Sequence, residues 1–485
     1  MIGERLEELN FADKRVTVVG LGIEGVDLAR YLSRRGAFVT VSDVKPREKL
    51  AQRADEADAL GVRLALGSNR FGDIAEADAL FVSQGVPLDL PGVHTARQRG
   101  VPTYSMTGLF MELCSGPICG ITGSSGKTTT TLLVGEMFAA DERPVFIGGN
   151  VGIGLLDQLS SVRPYTWAVL EVSHTQLQLV ERSPHVAAIL NITPNHLDRF
   201  SWEEYRRLKA NIIRYQQPSD IAVLGYDDAE CRTLEPAVKG RLLWFTLADN
   251  LPSDGVFVRD GWAVIRSGHL SEKLFPLDSL RLRGRHNQAN AVAAAAIATA
   301  CGVSPDAIAC AVETFRGVPH RLEFVARAGR VAYYNDSIAT TPERALAGIR
   351  SFEEPIILLL GGRDKELPLE ELAAEAIKRC RAIILFGESA GKIEQALRAT
   401  GAPAQATIRR VETLPEAVDA ARTVALPGDV VLLSPACTSY DAYEGFERRG
   451  EHFRTLVQEI AKPVLNAAEG PFLSPAEGEQ LPSLR

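Results

Sequence analysis

A chain of 485 residues exceeds what one hydrophobic core organises, since single cores stop growing near roughly 250–300 residues, so two or three domains are expected. With 46% hydrophobic and 24% charged residues, 41 Gly and 26 Pro, the composition is that of a turn-rich globular α/β protein and excludes extended disorder. A formal charge of −8 excludes a chain that wraps nucleic acid, which needs a Lys/Arg surplus, while a small anion can still be held by local amides and a few cations.

Seven cysteines are scattered without a CxxC pair, which points to reduced thiols rather than a disulfide framework or a zinc site. Residues 1–15 mix acidic and basic side chains without an apolar h-region, and no run of 18 apolar residues occurs anywhere. A soluble, cytoplasmic protein with no membrane partner is expected, and a monomer is the simplest assembly.

The first segment reads as a βαβ unit of Rossmann type. It comprises a β-branched run Arg15–Val19, the turn Gly20-Leu21-Gly22-Ile23-Glu24-Gly25, a helix to about Arg35 and a strand Phe38–Ser42 ending at Asp43. A third strand, Ala79–Ser83, runs into Gln84-Gly85-Val86-Pro87, a loop where a ligand can approach the backbone. From Pro117 the theme repeats: Pro117–Thr122 enters a second glycine loop, Trp167–Leu170 ends at Glu171, and Val186–Ile192 ends before His196. Short alternating strands follow between 221 and 282, then an alanine-rich helix Asn287–Ala300 that must pack closely on a neighbour. Strands at Val331–Tyr334, Ile356–Leu360, Ala382–Phe386 and Val430–Ser434 predict another doubly wound sheet. The fold expected is α/β in three domains: Rossmann-like over 1–112, a central P-loop ATPase domain with a parallel sheet over 113–317, and Rossmann-like again over 318–462. A loosely ordered tail rich in Pro, Gly and Glu is expected over 463–485.

In Gly120-Ile121-Thr122-Gly123-Ser124-Ser125-Gly126-Lys127-Thr128-Thr129, small residues let backbone N–H groups wrap a phosphate at a helix start, while Lys127 supplies charge and Thr128 a hydroxyl for Mg²⁺. The usual spacing needs Gly at 121, so this is a shorter T-G-x-x-G-K-T form. Glu171, at the end of a strand beside this loop, has the position of a metal ligand, or alternatively of a surface ion-pair carboxylate. His196, beyond the next strand, converges on the same edge, or is a capping or buried histidine. Asn287 and Asn290 share one face of a helix start, where both amides can meet a nucleotide or simply cap the helix. Arg321, in Pro319-His320-Arg321, stands at the expected second boundary and can clamp a phosphate or lie on the surface. Asn335-Asp336-Ser337-Ile338-Ala339-Thr340, Gly361-Gly362-Arg363-Asp364-Lys365 and Ser434-Pro435-Ala436-Cys437-Thr438-Ser439 each follow a strand, and three such loops on one sheet edge define a site.

In this order the motifs closely resemble the Mur ligase family, over nearly the whole chain except the tail. The phosphate loop marks the wider ATP-dependent superfamily shared with folylpolyglutamate synthetases. The glycine-turn first domain, Pro319-His320-Arg321 and the run Ser434–Gly450 point to the branch acting on muramoyl-alanine.

That resemblance implies an ATP-dependent amide-bond ligase that joins glutamate to UDP-N-acetylmuramoyl-L-alanine in peptidoglycan synthesis, through an acyl phosphate. It places ATP on Gly123, Ser124, Ser125, Gly126, Lys127, Thr128, Thr129, Asn287, Asn290, Arg321 and Asp336. Catalysis would fall to Lys127, Glu171, His196 and Lys209. Two Mg²⁺ ions are implied, on Thr128, Glu171, His196 and a carbamylated Lys209, which the residues alone would make a solvated helix lysine. The UDP-substrate would lie on Gly20, Leu21, Gly22, Asp43, Ser83, Gly85, Asn150, Ser173 and Gln176, and the amino acid on Thr340, Lys365, Ser439 and Phe446. Two positions depart from the family pattern: Ile338 stands where a lysine is frequent, beside the acceptor site, and Ser173-His174-Thr175-Gln176 replaces Ser-Ser-Phe-Gln. D-glutamate is the expected acceptor, with L-glutamate or a folylpolyglutamate-type reaction as alternatives.

Overall fold

The apolar runs of the sequence become the central strands of three separate sheets. The computed structural model describes residues 9–150, 154–195, 197, 199–401 and 407–468. By contacts the chain divides into two units, Met1–Phe315 and Arg316–Arg485. The first holds two sheets, the second one.

The first sheet consists of β1 (Arg15–Val19), β2 (Phe38–Asp43), β3 (Arg63–Leu66), β4 (Ala79–Val82) and β5 (Thr103–Tyr104), all parallel in the order β3-β2-β1-β4-β5. The chain moves from β1 to one side and later returns to its other side with β4. The loops after β1 and β4 therefore part and leave a crevice at this switch point. Gly20 has φ +105, and a Cβ there would sit 2.9 Å from that of Ser83, so only glycine fits where the two loops leave their paired strands, before they part.

The second sheet consists of β6 (Ile118–Thr122), β7 (Val145–Gly149), β8 (Trp167–Glu171), β9 (Val186–Ile189), β10 (Ile221–Gly225), β11 (Arg241–Phe245), β12 (Gly255–Arg259), β13 (Trp262–Ser267) and β14 (Leu270–Pro276). Its order is β14-β13-β12-β11-β10-β9-β6-β8-β7, parallel except for the antiparallel β12–β14 edge. β6 sits between β8 and β9, so the loop leaving β6 is flanked by both neighbouring strand ends. The alanine-rich helix, Arg285–Ala300, packs on the helix Lys127–Ala140, and its small buried side chains Ala291 and Ala293–Ala296 permit the close approach.

A continuous apolar core links these two sheets: Val18 and Phe81 from the first, Leu170, Ile189 and Leu224 from the second, with Leu109, Phe110 and Met111 between them. A polar staple adds to it. Asp27, 2% exposed, accepts from the backbone N–H of Leu156 (2.8 Å) and of Asp157 (3.0 Å), and the carboxylate of Asp157 pairs with Arg30. Asp27→Ala would leave two donors without their acceptor, and about 2 kcal/mol of stability should be lost. Urea unfolding checks this, and an unchanged midpoint would show the staple to be dispensable.

The third sheet consists of β15 (Glu323–Ala328), β16 (Val331–Asn335), β17 (Ile356–Gly361), β18 (Cys380–Phe386), β19 (Thr407–Arg410) and β20 (Val430–Ala436), in the order β15-β16-β20-β17-β18-β19. Only the β15–β16 pair is antiparallel.

Strands β3, β5, β7, β15 and β19 were not expected from the sequence. β3 and β19 are four-residue edge strands, β5 has two residues, and β15 is half exposed, so none carries a strong apolar run. β7 ends in Gly148-Gly149, which argues against a strand locally. Here Gly149 has φ +91, and a Cβ on it would lie 2.1 Å from the Glu171 carbonyl oxygen. The final helix, Phe446–Ala468, runs past 462 into the segment expected to be loose, and 469–485 lie outside the described residues. Among the described residues no helix is long and apolar enough to cross a membrane.

Candidate active site

The loop between β6 and the helix Lys127–Ala140 is built from its neighbours. Ser124 donates its backbone N–H to the Asn191 carbonyl (2.9 Å) and its hydroxyl to the Thr193 carbonyl (3.0 Å), while Ser125 N–H reaches Asn191 Oδ1 (2.9 Å). Gly126, at the helix N-terminus, has φ +81, and a Cβ there would lie 2.3 Å from Asn290 Oδ1. Asn290 therefore abuts the loop from the helix Arg285–Ala300. It donates to Asn287 Oδ1 (3.2 Å), and Asn287 in turn donates to the Arg283 carbonyl (2.8 Å). Thr129 is buried against the core side of the loop.

Two ammonium groups share one acceptor. Lys127 Nζ (3.0 Å) and Lys209 Nζ (2.9 Å) both donate to the Gly123 carbonyl. Lys209 is 1% exposed, and burial, then the charge of Lys127, push its ammonium down to about 7. Its Nζ lies 4.9 Å above the Tyr205 ring, whose hydroxyl meets Ser124 Oγ at 3.0 Å. Two ammonium groups on one carbonyl repel each other, and an anion such as a phosphate would relieve that repulsion.

Opposite them stands Glu171, 2% exposed at the end of β8. Its oxygens accept from Thr128 Oγ1 (2.7 Å) and Asn150 Nδ2 (3.0 Å), neither of them a cation. A buried carboxylate and a hydroxyl at bonding distance are oxygen ligands of the kind a hard divalent cation takes, so this pair fits Mg²⁺. Among the described residues no three His, Cys, Asp or Glu side chains form a metal cluster. His196 lies outside the described residues.

At the switch point of the first sheet, Asp43 accepts from Leu21 N–H (2.7 Å) and Lys45 N–H (2.8 Å), and the Ser83 hydroxyl donates to the Gly20 carbonyl (3.2 Å). Gly22 caps the helix Ile23–Ser33, and exposed Gly85 lies in the turn closed by Val86 N–H on the Ser83 carbonyl (2.9 Å). These six expected residues thus form one rim. It faces Ser173 and Gln176, which bond each other and reach across: the Ser173 hydroxyl to Gln84 Oε1 (3.1 Å), Gln176 Nε2 to Glu24 Oε1 (3.3 Å). Gln84 Nε2 also reaches Asn150 Oδ1 (3.5 Å). Glu24 and Gln84 were not singled out from the sequence. Burial pushes the Glu24 carboxyl above its ordinary range, opposed by the Gln84 N–H.

In the second unit, Lys365 Nζ donates to Thr340 Oγ1 (3.3 Å), joining the loops after β16 and β17, while Ser439 is buried after β20 and Phe446 opens the last helix. Asp336, 4% exposed, accepts from the Ser434 hydroxyl (2.7 Å) and Leu322 N–H (3.1 Å), and burial raises its carboxyl to about 7. Exposed Arg321 is flanked by His320 and Leu322, both at positive φ.

Three family models match the chain: the Mur ligase MurD-like N-terminal domain over residues 14–105, the Mur ligase middle domain over 121–298, and the Mur ligase glutamate ligase domain over 320–437. A UDP-N-acetylmuramoylalanine–D-glutamate ligase of Symbiobacterium thermophilum is 42% identical over 95% of this chain and 100% of its own. The chain belongs to the Mur ligase family. A D-glutamate ligase of the same name from Koribacter versatilis is 37% identical, over 93% of this chain and 98% of its own. The solved UDP-N-acetylmuramate–alanine ligase of Thermotoga maritima shares the fold, with TM-score 0.52 and 19% identity over 92% of this chain and 99% of that one.

In this Mur ligase both departures from the family pattern have structural surroundings. His174 is buried edge-on to Phe200 (5.2 Å between centroids) and against Tyr205 (5.1 Å), so it packs behind the ring that carries Lys209. At Ile338 the side chain is half-buried, and the guanidinium of Arg344 reaches the residue's carbonyl (3.3 Å).

Proposed function

We propose that this Mur ligase adds D-glutamate to UDP-N-acetylmuramoyl-L-alanine at the expense of ATP, in peptidoglycan biosynthesis. The observation that carries the reading is the convergence of Lys127, Thr128, Glu171 and Lys209 on the loop after β6, in a chain whose relatives over nearly full length are named D-glutamate ligases. The matched N-terminal domain weighs against a folylpolyglutamate-type reaction.

The substrate carboxylate attacks the γ-phosphorus of ATP, ADP leaves, and the amine of glutamate then attacks the acyl-phosphate carbon, releasing inorganic phosphate and a proton. Lys127 neutralises charge on the transferred phosphoryl group, and the loop amides hold the phosphates at the helix N-terminus. Thr128 and Glu171 would hold one Mg²⁺, and His196 with Lys209, the latter as its carbamate, would hold a second. Mg²⁺ bound there would supply positive charge that lowers the repulsion between the phosphate oxygens and the substrate carboxylate.

The adenine end fits the cavity of about 630 Å³ beside Asn287, lined by Tyr226, Leu247, Arg285 and His286. Uridine diphosphate takes the rim Gly20, Leu21, Gly22, Asp43, Ser83 and Gly85. The muramoyl-alanine end passes Asn150, Ser173 and Gln176 toward a cavity of about 590 Å³ lined by Gln84, Thr175, Arg97 and Arg207. Lys365, Thr340, Ser439 and Phe446 receive glutamate, while Arg321 and Asp336 serve the nucleotide. The protein acts as a cytoplasmic monomer.

The test offers UDP-N-acetylmuramoyl-L-alanine and ATP with D- or L-glutamate in separate reactions, followed by product mass and phosphate release. Amide and one phosphate per turnover are expected with D-glutamate alone. Equal or better turnover of L-glutamate overturns the enantiomer, and no amide with either overturns the ligase reading.

A further inference from the structure

The last helix carries an arginine that none of the roles above uses. Arg449 is 0% exposed, and its guanidinium makes five hydrogen bonds. Nε donates to Ser337 Oγ (3.0 Å), one terminal nitrogen to the carbonyls of Gly361 (3.4 Å) and Thr438 (3.2 Å), the other to the carbonyls of Ser337 (3.0 Å) and Cys437 (3.1 Å). Four carbonyls and a hydroxyl take its protons, and no carboxylate does. Burying a cation this way is costly, and a planar fork is the side-chain geometry that can satisfy so many fixed acceptors at once.

The three loops tied by this fork are those after β16, β17 and β20. Each expected acceptor residue lies a few positions from one of its bonds: Thr340 from Ser337, Lys365 from Gly361, and Ser439 next to Thr438. The Ser337 hydroxyl, while accepting from Arg449, donates to the Phe446 carbonyl (2.8 Å), which brings in the fourth. A Cβ on Gly362 would lie 2.0 Å from the Thr438 carbonyl oxygen and 2.9 Å from an Arg449 nitrogen, so the position stays small where these loops meet the fork.

We infer that Arg449 is a positioning residue for the acceptor amino acid, gathering the three post-strand loops that carry Thr340, Lys365 and Ser439 into one frame. The inference rests on the acceptor assignment proposed above. Arg449 bonds neither Arg321 nor Asp336, the two nucleotide residues assigned to the second unit, and the other ATP and UDP-substrate residues belong to the first, so binding of those two substrates should depend on it far less than binding of glutamate.

Arg449→Lys keeps the charge and loses the fork. Expected is a KM for D-glutamate raised on the order of ten-fold or more, with KM for ATP and for the UDP-substrate within about two-fold of the parent and the melting temperature still that of a folded protein. An unchanged KM for D-glutamate in the folded variant overturns the inference, as does a proportional change in all three constants. Should Arg449→Lys fail to fold, Ser337→Ala removes one acceptor of the fork and its link to Phe446, and the same comparison of constants decides. A parent enzyme that forms no amide would sink the function reading and this inference with it, whereas an active parent with an unaffected variant sinks this inference alone.

Discussion

Replacing Lys127 by alanine is expected to lower ADP formation by about 10³-fold or more, because the charge it brings to the phosphoryl group has no nearby substitute. The other ammonium on the Gly123 carbonyl, Lys209, is buried over the Tyr205 ring and already shifted toward neutrality. Binding of the UDP-substrate should survive, since the rim at Gly20, Asp43 and Ser83 is tied by its own hydrogen bonds at the end of another sheet. ADP release and calorimetric titration with the UDP-substrate separate the two effects. Retained ADP formation would remove the loop from catalysis, and loss of both functions with a lowered melting temperature would mean that the variant no longer folds.

The strands that bear this site were legible because their chemistry is local. A short apolar run, glycines and a Lys-Thr pair announce β6 and its helix without help from the rest of the chain. The edge strands β3, β5 and β19 were not legible, because short half-exposed strands are defined by the neighbour they pair with. β7 was hidden by Gly148 and Gly149, the first crowded by Leu155 and Phe146 and the second needed where the backbone of β8 approaches.

The buried cations show a finer limit. By composition Lys209 and Arg449 are surface residues, yet both are in the core. Each nevertheless falls on the apolar stripe of its helix: Lys209 with Tyr205, Leu208 and Ile212, Arg449 with Phe453 and Val457, all buried. A cation at a core position of a 3.6-residue pattern is a local signal that something must be held there. The sequence can give that position but not the partners, which come from loops far away in the chain. The Asp27 and Glu24 contacts to the second sheet were unreadable for the same reason, since each carboxylate has its helix neighbours in view and its acceptor role more than a hundred residues away.

The position of Lys209 leads to the other large expected effect. An amine buried to 1% exposure and shifted to about 7 is substantially neutral near physiological pH, and a neutral amine is the form that attacks CO₂, giving a carbamate and a proton. The product would be an anion beside Lys127, converting a repulsive pair into an attractive one and adding an oxygen ligand opposite Glu171. A modification that relieves local electrostatics should be favoured here, whereas an exposed lysine gains nothing comparable. Lys209→Met is therefore expected to lower turnover by about 100-fold, the scale seen when the support of a metal site is removed. The parent enzyme should lose activity in CO₂-depleted buffer and regain it on adding bicarbonate, and with ¹³C-labelled bicarbonate it should show a carbamate resonance that Lys209→Met lacks. Full activity of the parent without CO₂, with no such resonance, would leave Lys209 as a buried ammonium donor to the Gly123 carbonyl and place the second metal ion elsewhere.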